Sequence, residues 1–203
     1  MTSPTTPASA TAPARPAVFT RHVEGLGTVT VSPLDPAADS PLVHSWVTQE
    51  RARFWGMREA TLELVREIYE DVDRRTTHHA FLVRLDGTPA ALFQTYDPAE
   101  DRISECYEVQ PGDIGIHLML APADGPAVPG YSGKLLGALT EFTLSGGKTR
   151  IVGEPDASNT KAIARLRRTG FELGPEVELP EIDLPEVYLP AKKARLCFLN
   201  AQR

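Results

Sequence analysis

Apolar positions recur every second residue in some stretches of this chain and every third or fourth in others, and the switches mark its elements. Residues 111–122, PGDIGIHLMLAP, set Ile114, Ile116, Leu118 and Leu120 to one side and Gly115, His117 and Met119 to the other. That is a strand, apolar enough to be buried on both faces. Ahead of it, VFTRHVEGLGTVTVSPL gives two short strands around a glycine turn. DSPLVHSWVTQERARFW gives a broken helix, with Asp39 or Ser40 as its cap and Pro41 in its first turn. In residues 57–75, Leu62, Val65 and Tyr69 share a stripe with Ile68 beside it, which predicts an amphipathic helix. HAFLVRLDGTPAALFQTY is two strands joined by Asp86-Gly87, a hairpin signal.

After residue 121 the pattern changes to strand, helix, strand, helix. The strand 113–121 leads through a glycine-containing loop to a helix over 132–144, and TRIVGEP is the next strand. NTKAIARLRRTGF is a helix with Ala162, Ile163 and Leu166 toward the sheet and Gly170 as a left-handed cap. An acidic, proline-punctuated stretch follows, and KKARLCFL closes the chain as a core strand. The central strand–helix–strand predicts a parallel pair with a right-handed crossover. The fold class is therefore α/β mixed: a mostly antiparallel sheet with one parallel pair and helices on both faces. In such sheets ligands bind beyond the C-terminal ends of the parallel strands. His117 lies on the first of these strands, and Glu154, Pro155 and Asp156 end the second.

The chain has 203 residues, enough for one domain with a proper core. Apart from Met1 and Arg15, residues 1–17 are Pro, Thr, Ala and Ser without the layout of a secretory signal, so they predict a disordered tail ahead of a single domain over 18–203. No apolar run approaches the ~20 residues of a membrane helix. The net charge of -6 argues against nucleic acid as a partner. Cys106 and Cys197 are too few for a disulfide framework and have no zinc spacing, so the expectation is a reducing cytoplasm and no metal.

Two segments carry candidate chemistry. GYSGK, Gly130, Tyr131, Ser132, Gly133 and Lys134, stands between a strand and a helix, where free backbone amides can close on an anion. It has neither the Walker nor the GxGxxG spacing. Asn159 can cap its helix or reach a ligand amide. Cations gather nearby: Lys134, Lys148, Arg150, Lys161, Arg165, Arg167 and Arg168. The stretch after Phe171 is the opposite, with Glu172, Glu176, Glu178, Glu181, Asp183 and Glu186 and no basic residue up to 189. Such a stretch can draw in a cationic substrate or simply face solvent.

NTKAIARLRRTGF, after a strand, a glycine loop and a helix, resembles the N-x-x-A-x-x-L-x-x-x-G-F signature of the Gcn5-related N-acetyltransferase superfamily. Over about residues 42–199, HSWV, RFWGM, FQTYDPAEDRI, DIGIHLML, EPDASNTKAI and KKARL resemble the siderophore-biosynthesis acyltransferases of aerobactin, mycobactin and desferrioxamine assembly, and most of all the desferrioxamine type. Gln94 stands where aerobactin-type members carry Glu, and Ala121 replaces a Gly.

The resemblance implies a catalytic His117 and Asp156. A neutral imidazole can take a proton near neutral pH, as acyl transfer from a thioester to nitrogen requires. Asp156 would orient that imidazole or hold a cationic substrate. The resemblance also implies a bulge in the His117 strand that frees the amides of Met119 and Leu120 for the thioester oxygen. Donor contacts are expected from Leu118, Met119, Leu120, Gly130–Lys134, Asn159 and Arg165, since coenzyme A carries three phosphates for a basic surface to meet. Trp55, Gln94, Tyr96, Glu105 and Tyr107 are expected at the acceptor.

The implied activity is acetyl or succinyl transfer from acyl-CoA to the hydroxylamine nitrogen of N-hydroxycadaverine, by direct attack. No cysteine or serine nucleophile is placed at the site. N6-hydroxylysine or lysine as acceptor, and a non-catalytic CoA-binding module, are the alternatives.

Overall fold

Eight strands form one sheet in the order β1-β2-β3-β4-β5-β6-β10-β7, and β8 pairs with β9 in a separate hairpin. The computed structural model describes residues 15–123, 125, 126, 128–184 and 187–201. The elements run β1 (Phe19–Val23), β2 (Gly27–Pro33), α1 (Pro36–Val47), a 3-10 helix (Glu50–Trp55), α2 (Leu62–Arg74), β3 (His78–Leu85) and β4 (Thr88–Tyr96). Two 3-10 turns, Pro98–Glu100 and Arg102–Glu105, precede β5 (Asp113–Leu120). Then come α3 (Tyr131–Ser145), β6 (Arg150–Gly153), α4 (Thr160–Arg168), β7 (Glu172–Leu179), β8 (Ile182–Leu184), β9 (Val187–Leu189) and β10 (Lys192–Asn200). Strands β5 and β6 are the parallel pair, with α3 as the crossover, and every other pairing is antiparallel. The mixed sheet flanked by helices is the fold expected from the sequence pattern.

Three expectations need correction or restriction. The first helix begins at Pro36, capped by the Asp35 carboxylate on the amides of Ala37 and Ala38. Asp35-Pro36 is itself a cap followed by a preorganised first position, so Asp39, Ser40 and Pro41 fall inside the helix. The acidic stretch is strand β7 and the β8–β9 hairpin. An edge strand can face its charges to water and tolerate Pro175, which is why its pattern resembles a loop. Most of the predicted tail, 1–14, and Glu186 lie outside the described residues, while Arg15 at the tail's end is ion-paired to Asp73 of α2.

Period-two alternation sorts each central strand onto two faces. Val29, Val31, Val83, Ala91, Phe93, Ile116 and Ile151 meet Leu135, Leu136 and Leu139 of α3 on one face. Leu82, Leu92 and Met119 meet Val43, Trp46 and Val47 of α1 and Val65 and Tyr69 of α2 on the other. Leu92 and Phe93, neighbours on opposite faces, have no exposed surface, and each burial is worth about 1.5–3 kcal/mol. A third cluster, with Tyr96, Ile103, Val152 and Leu196, lies on the α1–α2 side of the sheet, beyond β5. His117 projects from β5 between these last two clusters.

Candidate active site

The parallel pair is short. Asp113, Gly115 and the residue between them pair with 150–152, after which β6 ends and its chain turns to β10 through the Asp156–Ala194 bridge. Strand β5 continues on β4 alone as far as Leu120. Its other edge is open from about His117 onward, and no irregularity interrupts the β4–β5 register. The Ala121 amide donates to the Ala90 carbonyl. In an antiparallel ladder the pattern repeats every two residues, so the amides of His117 and Met119 face β4. Those of Leu118 and Leu120 face the open edge. Splaying of the parallel pair, rather than a bulge, frees the amides, and Met119 is not among them.

On the α1–α2 side, β5 presents Asp113, Gly115 and His117 in a row, and each has a separate task. Asp113, almost fully buried, receives Arg150 Nε and Nη2 at 2.7 Å each, the Tyr107 hydroxyl at 3.0 Å and the Gln110 amide at 3.0 Å. Its burial works against ionisation, but the Arg150 bond and the other donors outweigh it and hold the carboxyl below its ordinary range. This ties β5 to β6 just before they part. A Cβ on Gly115 would overlap the Tyr96 ring, so glycine lets that ring cross the strand. The Tyr96 hydroxyl then donates to Glu154 Oε2 at 2.8 Å.

His117 Nε2 meets Glu154 Oε1 at 2.5 Å, and its Nδ1 meets Gln94 Oε1 at 3.2 Å. The imidazole side chain is 38% exposed, whereas Glu154 is 6% exposed. Burial alone would raise the Glu154 carboxyl, yet the charge and hydrogen bond of His117, the Lys192 ammonium 3.9 Å away and the Tyr96 hydroxyl bring it down to about 2. An ionised Glu154 requires a proton on Nε2. The lone pair of a neutral ring is then on Nδ1, where Gln94 can present its NH2; when the ring is doubly protonated, the same amide can present its oxygen.

Trp55 stands edge-on to the imidazole, with ring centroids 6.2 Å apart, and its indole N–H donates to the Tyr69 hydroxyl. Tyr96 lies 5.0 Å from the imidazole centroid and stacks on His78 on its other side.

Of the residues expected at the site, the structure gathers His117, Gln94, Tyr96 and Trp55 around one point, with Leu118 and Leu120 along the open edge. Asp156 is not His117's partner: its Oδ1 accepts from the amide and hydroxyl of Ser158. The carboxylate on the imidazole is Glu154, two residues earlier. Alternation from Val152 puts Glu154 on His117's side of the sheet, a signal present in GEPD but usable only with the strand register known. Tyr107 supports Asp113 and packs against Phe198, and Glu105 is exposed at the end of its 3-10 turn.

The donor side is also redistributed. Gly130 caps α3 at φ 74°, a conformation that glycine adopts without strain, so Tyr131, Ser132 and Gly133 form its first turn. Lys134 instead donates to the carbonyls of Glu24 and Gly25 in the β1–β2 turn. Asn159 caps α4 through the Ala162 amide. Arg165 is half-buried, and its guanidinium is lowered by that burial and by Arg168. Arg167 and Arg168 line an open groove between α4 and β7, with Arg195, whose partner is Glu176 at 2.5 Å. The cations adjacent in sequence thus serve at least three different places.

Among the described residues no helix is long and apolar enough to cross a membrane, and no group of three or more His, Cys, Asp or Glu is placed to hold a metal ion.

This chain is 27% identical over 149 residues to the N(6)-hydroxylysine O-acetyltransferase of Escherichia coli, covering 72% of this chain and 47% of that protein. It is 29% identical over 202 residues to the N(5)-hydroxyornithine:cis-anhydromevalonyl coenzyme A-N(5)-transacylase SIDF of Beauveria bassiana (strain ARSEF 2860), covering 94% and 44%. The chain thus spans less than half the length of these two relatives.

Among solved structures, an uncharacterized protein from Bacillus halodurans superposes with a TM-score of 0.78 at 22% identity, over 92% of this chain and 91% of that one. The aminoglycoside acetyltransferase AAC(6')-Ib in complex with coenzyme A gives 0.69 at 26%, over 85% and 94%. The family model for an acetyltransferase (GNAT) domain matches residues 35–179, most of the sheet and its helices together with the open edge and His117. This chain belongs to that family.

Proposed function

We propose that this domain transfers an acyl group from acyl-CoA to the hydroxylamine nitrogen of a small N-hydroxy amine, a step that makes a hydroxamate for siderophore assembly. The observation that carries the reading is the His117–Glu154 pair beside the open amides of Leu118 and Leu120. A thioester laid along that edge has donors for its carbonyl oxygen within reach of a base. The hydroxylamine nitrogen, uncharged near neutral pH, attacks the carbonyl carbon. Its proton passes to His117 Nδ1, and Glu154 stabilises the resulting imidazolium without itself becoming protonated. Collapse re-forms the carbonyl and breaks the C–S bond, so that coenzyme A leaves as the thiolate and takes up a proton. No covalent enzyme intermediate is formed. Gly130–Gly133, with the α3 N-terminus, is assigned to the donor's pyrophosphate. Asp156, free of His117, is assigned to the cationic end of the acceptor, alongside Trp55, Gln94 and Tyr96.

N-hydroxycadaverine is the acceptor favoured by the acidic β7 and β8 segments, with acetyl- or succinyl-CoA as donor. One observation favours N6-hydroxylysine instead. The Lys192 ammonium stands 3.9 Å from a Glu154 whose two oxygens already have partners, which leaves it able to take a substrate carboxylate. The two curated relatives are named for N6-hydroxylysine and N5-hydroxyornithine, both of which carry that group. Coenzyme A release, measured with N-hydroxycadaverine, N6-hydroxylysine and cadaverine against acetyl- and succinyl-CoA, ranks these readings. Turnover on either hydroxylamine, far above that on cadaverine, is expected. Turnover on none of the three would contradict the proposed activity.

A further inference from the structure

The open edge of β5 is not bare. Arg51, on the 3-10 helix Glu50–Trp55, donates from Nη1 to the Leu120 carbonyl at 2.8 Å, and its Nε donates to Gln49 Oε1 at 2.8 Å. The Leu120 carbonyl lies on the side of the strand away from β4, where β6 no longer runs. Among the described residues Arg51 has no carboxylate partner, although carboxylates pair with most of the other surface arginines of the first half of the chain. Gln49 is a neighbour in sequence, so one backbone carbonyl, 69 residues away, ties this guanidinium to the edge of β5. Four positions further along the same helix, Trp55 stands against His117. The 3-10 helix therefore runs beside the very length of strand that a thioester must line.

The pantetheine arm of an acyl-CoA carries two secondary amides. An extended chain of that kind binds an exposed strand edge as an extra strand would, giving N–H to carbonyl and taking N–H from amide. On this edge the available groups are the amides of Leu118 and Leu120, the carbonyl of Leu118 and the carbonyl of Leu120. The last is occupied by Arg51, and one carbonyl cannot serve both partners fully in the same direction.

We propose that Arg51 is a stand-in for the donor: it satisfies the Leu120 carbonyl in the free protein and is displaced when the pantetheine arm adds to β5. This assignment rests on the reading of the domain as acyl-CoA-dependent. It predicts that Arg51 opposes donor binding, since its bond must break first, whereas a cation near a polyphosphate ligand would ordinarily assist.

The test is the dissociation constant of coenzyme A for the wild type and for Arg51→Ala and Arg51→Gln, by titration calorimetry, repeated with S-acetylpantetheine, which has the amides but no phosphate. Arg51→Ala is expected to bind both ligands tighter by about three- to tenfold, the size of one net hydrogen bond at a half-wet site. Arg51→Gln, which keeps a donor, is expected to fall between the two. Because Arg51 is exposed, melting temperatures should stay close to wild type; a fall in both variants would show a structural strut and overturn the assignment. Unchanged affinity would overturn it. So would weaker binding of coenzyme A, which would make Arg51 a phosphate contact. A wild type that binds neither ligand would defeat the acyl-CoA reading itself, whereas a wild type that binds both with no gain in Arg51→Ala would defeat only the role of Arg51.

Discussion

At the scale of single residues, the site depends on which nitrogen of His117 carries the lone pair that takes the proton. Glu154 fixes the proton on Nε2, and Gln94 can follow the ring through both protonation states because an amide offers either a donor or an acceptor. A carboxylate at position 94 could only accept. Gln94→Glu is therefore predicted to hold the ring doubly protonated and to move the rising limb of the pH–rate profile to higher pH. A profile that does not move would refute this role for Gln94. Glu154→Gln removes the charge that stabilises the imidazolium, so turnover should fall by about 10²-fold or more with little change in acceptor KM.

The same carboxylate links stability to pH. Its folded value of about 2 lies below its ordinary 4.5. Its contribution is therefore complete above pH 4.5 and drains away as pH falls toward 2. Between those values the wild type should lose more stability in urea than Glu154→Gln does. Equal losses would show that the pair does not act in this way.

His117 was legible because a polar residue breaks an otherwise apolar alternation. Its partner was not. Glu154 and Asp156 share a strand end and a parity, and only the register of β5 against β6 decides between them.

At the scale of elements, the open edge exists because β5 and β6 are tied together at one end and released at the other. Asp113 and Arg150 make the tie, and the Arg150 guanidinium also lies over the rings of Phe198 and Tyr107, at 4.9 and 5.7 Å. Removing one member of a buried pair leaves the other uncompensated, so Asp113→Ala should cost about 3 kcal/mol in denaturant unfolding. Gly115→Ala should cost about 1–3 kcal/mol by forcing the Tyr96 ring off the strand, and activity should fall with the loss of the Tyr96–Glu154 bond. Activity retained in Gly115→Ala would show that Tyr96 does not position Glu154.

Strands β1–β6 and helices α2–α4 were legible from period and turn chemistry. Strand β7 and the β8–β9 hairpin were not: the glutamates of β7 face solvent at the sheet's edge and look the same as a charged loop, and β8 and β9 are too short, at three residues each, to show a period. Arg102 completes this region by donating to the carbonyls of Pro180 and Pro190, at the two feet of the hairpin. The cation cluster shows the same limit. The sequence pattern gathers Lys134 and Arg150 around one glycine loop, but each follows its own partner, a pair of turn carbonyls or a buried carboxylate.

At the scale of the whole molecule, the two faces of the sheet divide the labour. The α3 face is closed by one continuous apolar cluster, and the α1–α2 face brings His117, Glu154, Trp55 and Tyr96 to the edge where β5 stands alone. Neither thiol serves as a nucleophile there. Cys106 donates to the Glu178 carbonyl, and Cys197 lies in the core, its thiol pushed up to about 11 by burial. Donor and acceptor must then be bound together, so initial-velocity plots should intersect rather than run parallel. A parallel, ping-pong pattern would require an acyl-enzyme that this arrangement does not supply.

The most direct measurement is made on His117→Ala, comparing the dissociation constant of coenzyme A with turnover on a hydroxylamine acceptor. Affinity within about twofold of wild type, with turnover lower by about 10²–10⁴, is the predicted result. Turnover close to wild type would contradict the account, because the proton would then leave by a route that does not pass through this imidazole.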